Sequence, residues 1–245
     1  MQKQQLAKSF ENIGEDYDRF RPGFPDAAAL EILPIKVSAV LDLGAGTGKF
    51  TALLPARADR VIAVEPSESM LEVLRAKLPD VEAIGAGAES IPLPDSSVDA
   101  VTVAQAFHWF DRDPACAEIA RVLVHGGTLG LLWNHSDPDC TWDRACHRVA
   151  HPAVAEKDAT TESAAEELPG FTFDHRAEIA WSERITRSEY VARWLTVSSF
   201  LVADDETRAQ MVAQVEEILD ADPETAGQTQ FELPMLTEVF VYTAT

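Results

Sequence analysis

Positive charge is in short supply in this sequence: 20 Lys and Arg stand against 41 Asp and Glu in 245 residues, a net charge of -21. A surface so acidic repels phosphate backbones and anionic lipid, which argues against nucleic acid and membrane partners. Its ordinary consequence is solubility, and a high-salt habitat is compatible with it. Cysteine is also scarce. Cys116, Cys140 and Cys146 cannot all pair and are too few for a disulfide framework, which suits a reducing compartment. No apolar run approaches the roughly eighteen residues that span a bilayer, and the opening MQKQQLAKSFENIGEDYDRF lacks the apolar centre of a secretion signal. The expected location is the cytoplasm. No internal repeat or low-complexity tract is present, and the oligomeric state is left open by the sequence.

What is present is alternation. Short apolar runs at 39–43, 61–65, 81–84, 98–103 and 128–133 read as five strands with helical patterns between them, the signature of a mostly parallel sheet flanked by helices. Pro66 and Ser67 introduce a helix with Met70, Leu71, Leu74 and Leu78 on one face. Another helix is expected to start at Asp113 as N-cap, with Pro114 at the first helical position, and to stop before Gly126 and Gly127. The acidic stretch 135–170 breaks this rhythm and reads as an insertion. It is helical where Trp142, Cys146 and Val149 share a face. A strand follows at 171–181, then a helix with a Thr186 and Glu189 capping box that reaches about Phe200. A long amphipathic helix through Met211, Val212, Val215, Ile218 and Leu219, and a last strand at 236–242, complete a sheet ending in a hairpin of late strands.

The strongest local signal is LDLGAGTG at 41–48, where a buried strand turns into a helix. Without Cβ atoms at Gly44, Gly46 and Gly48, the backbone can turn sharply and offer N–H groups to a ligand at close range. On an open α/β sheet such a site belongs at the carboxyl ends of the strands, where their order reverses. Spacing separates the cofactors. Dinucleotide enzymes use GxGxxG to approach a pyrophosphate; here the glycines run GxGxG and Asp42 precedes them, a carboxylate that repels pyrophosphate and suits an ammonium or sulfonium. Glu65 ends the second strand 19 residues after Gly46, where an acid accepts hydrogen bonds from ribose hydroxyls.

These residues resemble the class I S-adenosylmethionine-dependent methyltransferases, in particular the methyltransferase type 11 and trans-aconitate methyltransferase-like group that acts on small molecules. The resemblance runs from about Phe10 to Trp133 through YDRFRPGFP, VLDLGAGTGKFT, AVEPSESML, AESIPLPDSSVDAV and AQAFHWF. It implies a Rossmann-like α/β fold over 1–245: a seven-stranded, mostly parallel sheet with helices on both faces, an N-terminal lid at 1–25 and a cap insertion at 135–170. It also implies S-adenosyl-L-methionine as cofactor. Gly44, Ala45, Gly46 and Gly48 would line its methionine and ribose, Asp42 its amino group, Glu65 the ribose diol, and Pro66 and Met70 the adenine. Ala88 and Glu89 match the segment at the adenine edge; Gly87 stands where many relatives carry Asp, so Glu89 is the candidate for the N6 contact. Gln105, Ala106 and Phe107 would border the cofactor. Tyr17, Arg21, His108, Trp109, Trp133 and Asn134 are candidates for the acceptor pocket, with Arg21 placed to pair with a carboxylate of cofactor or acceptor.

His108 is the candidate general base and is needed only for a hydroxyl or ring-amine acceptor, since a carboxylate is already ionised. The resemblance points to a small carboxylic acid or heteroaromatic metabolite as acceptor, and the remaining sequence does not identify it. His147 and His151, four residues apart near Cys140 and Cys146, have a metal-ligand spacing without a second supporting motif, so no metal is expected. Two other functions fit the loop: a non-catalytic S-adenosylmethionine sensor or partner subunit, and an NAD-dependent oxidoreductase, which the GxGxG spacing disfavours.

Overall fold

The computed structural model of the chain describes residues 14–151 and 167–245, so the remaining parts of the expected lid and cap, 1–13 and 152–166, lie outside the described residues. The described chain divides into two compact units: residues 23–134, 167–179 and 237–245 form a sheet unit, and residues 14–22, 135–151 and 180–236 a largely helical one. Among the described residues no helix is long and apolar enough to cross a membrane.

The strands are β1 (Val37–Leu43), β2 (Ala58–Val64), β3 (Glu82–Ile84), β4 (Val98–Ala104), β5 (Leu123–Ser136), β6 (Phe171–Thr186) and β7 (Gln230–Ala244), in the order β3-β2-β1-β4-β5-β7-β6. The first five in that order pair in parallel, with Asp42 opposite Ala63 on one side and Thr102 on the other. This is the α/β sheet that the apolar runs imply. Successive strand residues point to opposite faces. On one face Leu41, Leu43, Ile62, Val64, Val101, Val103, Leu129 and Leu131 pack against Cys116 and Ile119 of α4 (Arg112–Val122). The intervening residues Val40, Val61, Ala100, Leu132 and Val239 face Ala28, Ala29 and Ile32 of α2 (Asp26–Ile32). Between β2 and β3, α3 (Glu68–Lys77) buries Met70, Leu71 and Leu74 as its pattern requires.

Several boundaries differ from the sequence reading. The cap of α4 is Asp111, not Asp113, which puts Pro114 third in the helix; the first-turn amides have no intrahelical acceptor, so proline is tolerated there as well as at the first position. β5 begins at Leu123, before the two glycines. Val98 pairs with Leu123 and Ala100 with Thr128, and this irregularity of register takes up Gly126 and Gly127. β7 runs through Pro234 rather than starting at Leu236; proline's fixed φ is compatible with extended backbone at the cost of one N–H donor. The Thr186–Glu189 capping box forms as the spacing predicts, but its helix ends at Trp194, and a separate short helix covers Ser198–Val202.

The helical unit contains α1 (Gly14–Phe20), α5 (Thr141–Ala150), α6 (Arg187–Trp194), α7 (Ser198–Val202) and α8 (Asp205–Ala221). Its centre is aromatic: Trp142 meets Tyr190 and Phe231 edge-on at 5.2 and 5.1 Å, and Tyr190 meets Trp194 at 5.9 Å. Two polar groups are buried among these rings, the Tyr190 hydroxyl donating to Asp143 Oδ1 at 2.6 Å. His147 lies edge-on to Trp194 at 4.9 Å, its ring 6.5 Å from His151 and its Nε2 3.9 Å from Asp143.

A buried carboxylate that loses its donor bears the full cost of desolvation. Tyr190→Phe is therefore expected to lower the unfolding free energy by about 1 to 3 kcal/mol, read from the midpoint of a urea titration at unchanged slope. A variant as stable as the parent would show that Asp143 finds water instead.

Candidate active site

The strand order reverses between β1 and β4, and the loops that leave their carboxyl ends flank the point of reversal. The loop after β1 is the GxGxG segment. Gly44, Gly46 and Gly48 all have positive φ (70°, 56° and 80°), a region that L side chains rarely adopt. The amides of Gly44 and Ala45 both donate to Val64 O at the tip of β2, at 2.8 and 3.1 Å. A Cβ on Gly44 would lie 2.6 Å from the Cβ of Ala106, so the absence of a side chain there allows the loop after β4 to approach.

Two carboxylates lie beneath and beside this loop. Asp42 is 1% exposed; its Oδ2 accepts from Thr51 Oγ1 at 2.6 Å and its Oδ1 from Thr102 Oγ1 at 2.9 Å. Glu65, 7% exposed, accepts from Gly46 N at 3.1 Å through Oε2 and from Ser67 N at 2.9 Å through Oε1. It thus fastens the glycine loop to the start of α3. Burial raises the Asp42 pKa from 3.8 to about 6, against the opposing effect of the two threonine hydroxyls. Burial also raises Glu65, its amide bonds work against that shift, and the neighbouring Asp42 charge adds to it. Hydroxyls and backbone amides hold both acids; among the described residues neither is ion-paired with Lys or Arg. Two buried acids with no described cation bonded to them make a strongly negative spot at the strand tips.

The segment 88–95 is laced along α4. Glu89 Oε1 accepts from Asp111 N at 2.8 Å, and Glu118 Oε2 from Ile91 N at 2.8 Å. Arg121 donates to Ile91 O and Leu93 O at 2.8 Å each, and also to Asp95 and Glu118. Ala88 is buried in the sheet core, Met70 is buried on α3, and Pro66 is exposed. Glu89 Oε2 folds back over Gly87, 3.1 Å from where a Cβ would stand.

Beyond β4, Gln105 is one of two non-glycine residues with positive φ among those described, at 58°. Such a conformation in a residue with a Cβ is strained and is held by its surroundings: Gln105 N donates to Leu132 O at 2.9 Å and its Nε2 to Asn134 O at 3.2 Å. The turn continues through Phe107–Trp109, with Phe107 buried and the His108 and Trp109 rings 4.7 Å apart. Two candidates for the acceptor wall have other roles. Trp133, 1% exposed, points into the core and packs edge-on to Phe240 at 5.9 Å, because alternation along β5 places it on the buried face. The Asn134 amide is a crosslink, donating to Gly23 O at 2.8 Å and accepting from Thr237 Oγ1 at 2.6 Å. Tyr17 and Arg21 belong to the helical unit, where the Arg21 guanidinium lies over the Tyr17 ring at 5.4 Å.

Sequence reasoning missed Thr51 and Thr102, which hold Asp42. Thr51 was within reach, at the end of the glycine motif; Thr102 becomes a partner only through the β1–β4 register.

Comparison with known proteins now decides the family. Residues 41–131 match the family described as methyltransferase domain. A Mycobacterium bovis protein called uncharacterized methyltransferase Mb3374 is 37% identical over 237 residues, covering 96% of this chain and 95% of that protein. The chain belongs to the class I S-adenosylmethionine-dependent methyltransferases. A second relative of this methyltransferase, the Schizosaccharomyces pombe methyltransferase-like C25B8.10, is 34% identical over 243 residues, 95% of this chain and 94% of its own length. Among solved structures, a type II methyltransferase from Anaeromyxobacter dehalogenans superposes with a TM-score of 0.71 at 27% identity, covering 92% of this chain and 97% of that one. The span matched by the family, 41–131, contains the glycine loop, Glu65, the laced segment and the β4 turn.

The raised Asp42 pKa has a definite sign. Between 3.8 and about 6 the folded chain holds a proton at Asp42 that the unfolded chain releases, so this group's contribution to stability grows as pH falls through that window and is lost as pH rises through about 6. Urea titrations at pH 7.5 and pH 5 should show the parent gaining on Asp42→Asn by on the order of 1 to 3 kcal/mol at the lower pH. A difference that does not change with pH would refute the shift.

Proposed function

We propose that this methyltransferase holds S-adenosyl-L-methionine at the carboxyl ends of β1 and β2 and transfers its methyl group to a small-molecule acceptor. The observation that carries this reading is the pair of buried carboxylates, Asp42 and Glu65, held among the described residues only by neutral donors. Burying an ion costs several kcal/mol unless an opposite charge compensates. A ligand with an ammonium and a sulfonium supplies that compensation, whereas a pyrophosphate adds to the repulsion. The remaining residues fit such a ligand. Glu65 uses one lone pair on each oxygen for the loop amides, so acceptor capacity remains for two ribose hydroxyls. Gly46 leaves its face open, with only Met70 Sδ near, 3.7 Å from a hypothetical Cβ. Asp42 is too deeply enclosed for direct contact, and it acts on the amino group through its charge. Glu89, folded over Gly87, serves as acceptor for the adenine amino group, and Met70 with Pro66 borders the ring.

S-adenosylmethionine supplies an activated methyl on a positively charged sulfur, which leaves as a neutral thioether. The protein's work is to align the nucleophile behind that methyl and exclude water. Gly44, in contact with the Ala106 turn, sets the distance between the cofactor loop and the β4 turn. His108 accepts a proton where the acceptor is a hydroxyl or ring amine and is idle where it is a carboxylate.

Calorimetric titration with S-adenosylmethionine and separately with NAD tests the assignment, and heat with the first alone is the expected result. Glu65→Ala should weaken binding by about 1 to 3 kcal/mol, because the ribose hydroxyls and two loop amides lose their acceptor. Wild-type affinity in that variant would remove Glu65 from the site, and heat with NAD alone would overturn the proposal.

A further inference from the structure

The sheet ends in a strand with one neighbour. β6 comes last in the strand order, beside β7, and among the described residues no strand lies on its other side. Such an edge presents a row of N–H and C=O groups that a further strand can pair with, and natural sheets blunt it with short strands, proline, bulges or charge. The part of β6 that belongs to the sheet unit, 171–179, is not short and holds no proline. Phe173 is exposed on it, the one aromatic among the large exposed hydrophobics of the described residues. From His175 to Ile179 the strand alternates strictly, with His175, Ala177 and Ile179 half-buried and Arg176 and Glu178 exposed. His175 Nε2 lies 2.9 Å from Glu31 Oε1 of α2, and Ile179 packs into the cluster that α2 covers. On the opposite face the Arg176 guanidinium lies over the Phe240 ring and pairs with Glu178 and Glu238. Charge is thus the device that guards this stretch, and it guards only against a partner of the wrong pattern.

Two-fold symmetry leaves few ways to join two identical edges. In parallel pairing each residue lies beside its own copy, so Arg176 meets Arg176 and Glu178 meets Glu178. In antiparallel pairing the axis passes through a residue, because the pleat sets residues of one face opposite each other. An axis through Arg176 or Glu178 again brings like charges together, and one through His175 brings two imidazoles together. An axis through Ala177 places Arg176 opposite Glu178 of the second copy, twice, with His175 opposite Ile179 and a small side chain at the centre. We propose that the outer edge of β6 is the docking surface for a second copy of this chain, paired antiparallel about Ala177 so that the two sheets continue as one. The interface is isologous and closes on itself. Opposite charges directly across strands stabilise such a pairing and like charges destabilise it. The five N–H donors of the guanidinium let Arg176 keep Glu238 while it meets the new carboxylate. The net charge of -21 opposes association at long range, but at about 0.15 M salt charges more than about 8 Å apart are largely screened, which leaves the facing pairs to decide. Three strands separate β6 from β1, so the proposal does not rest on the cofactor reading.

Sedimentation velocity of the full chain between about 1 µM and about 1 mM reads the association, and a monomer–dimer equilibrium is the expected result. Arg176→Glu makes both facing positions acidic and Glu178→Arg makes both basic, so each variant alone sets like charges together. The dimer dissociation constant of each should rise about tenfold or more. Mixed in equal amounts, the two variants restore opposite charges at both places and should form a heterodimer with close to the parent's affinity, a recovery that no effect within one chain can produce. Circular dichroism checks that both are folded, since Arg176→Glu also removes the base that pairs with Glu238. Amide hydrogen exchange of the parent provides a second reading that needs no variant: residues 175–179 should exchange more slowly as protein concentration rises. A parent that stays monomeric throughout the range overturns the proposal. So do single variants that associate as the parent does, a mixture of folded variants that fails to recover, and a dimer whose concentration-dependent protection lies elsewhere. Should Arg176→Glu not fold, Glu178→Arg and the exchange measurement decide alone.

Discussion

Two acids placed where the sheet changes direction constrain everything around them. Asp42 and Glu65 lie at the tips of adjacent parallel strands, each nearly sealed from solvent, and among the described residues each is held by neutral hydrogen bonds alone. That arrangement is stable only because every oxygen has a donor: Thr51 and Thr102 for Asp42, Gly46 and Ser67 for Glu65. It is also incomplete, because hydrogen bonds offset desolvation without neutralising charge. The glycine loop, the start of α3 and the register between β1 and β4 can each be understood as what these carboxylates require.

The same logic extends to the neighbouring loops, which are tied by hydrogen bonds at several points. The segment before β4 is tied to α4 at both ends, by Glu89 at the helix start and by Glu118 and Arg121 farther along. A strained Gln105 is retained because β5 accepts from both its backbone and its side chain. Backbone held in this way has its conformational entropy already lost on folding, so a ligand meeting it would find it preorganised.

Much of this was legible in the residues. Alternating apolar runs give the sheet, GxGxG marks the sharp loop that Glu65 fastens, and Thr186 with Glu189 announces a helix start that forms as written. Errors occurred where a local rule permits more than one outcome. Pro114 fits anywhere in a first helical turn, so Asp113 and Asp111 compete as cap. Gly126 and Gly127 read as a helix stop and turn out to sit within an irregular strand. Side-chain direction is a different matter: Trp133 and Asn134 lie in β5, and what each side chain meets depends on pleat and on partners distant in sequence, Phe240 for one and Thr237 for the other. Thr102 is in the same position, since only strand register brings it to Asp42.

Asn134 has a consequence of its own. Its amide group and backbone oxygen connect Gly23, Gln105 and Thr237, so the entry to the sheet unit, the tip of β4 and the final strand meet on one residue. The end of the chain thereby acts as a brace for a turn whose sequence lies far upstream. A change at Thr237 would then be felt as a tilt of the turn after β4, with the glycine motif left untouched.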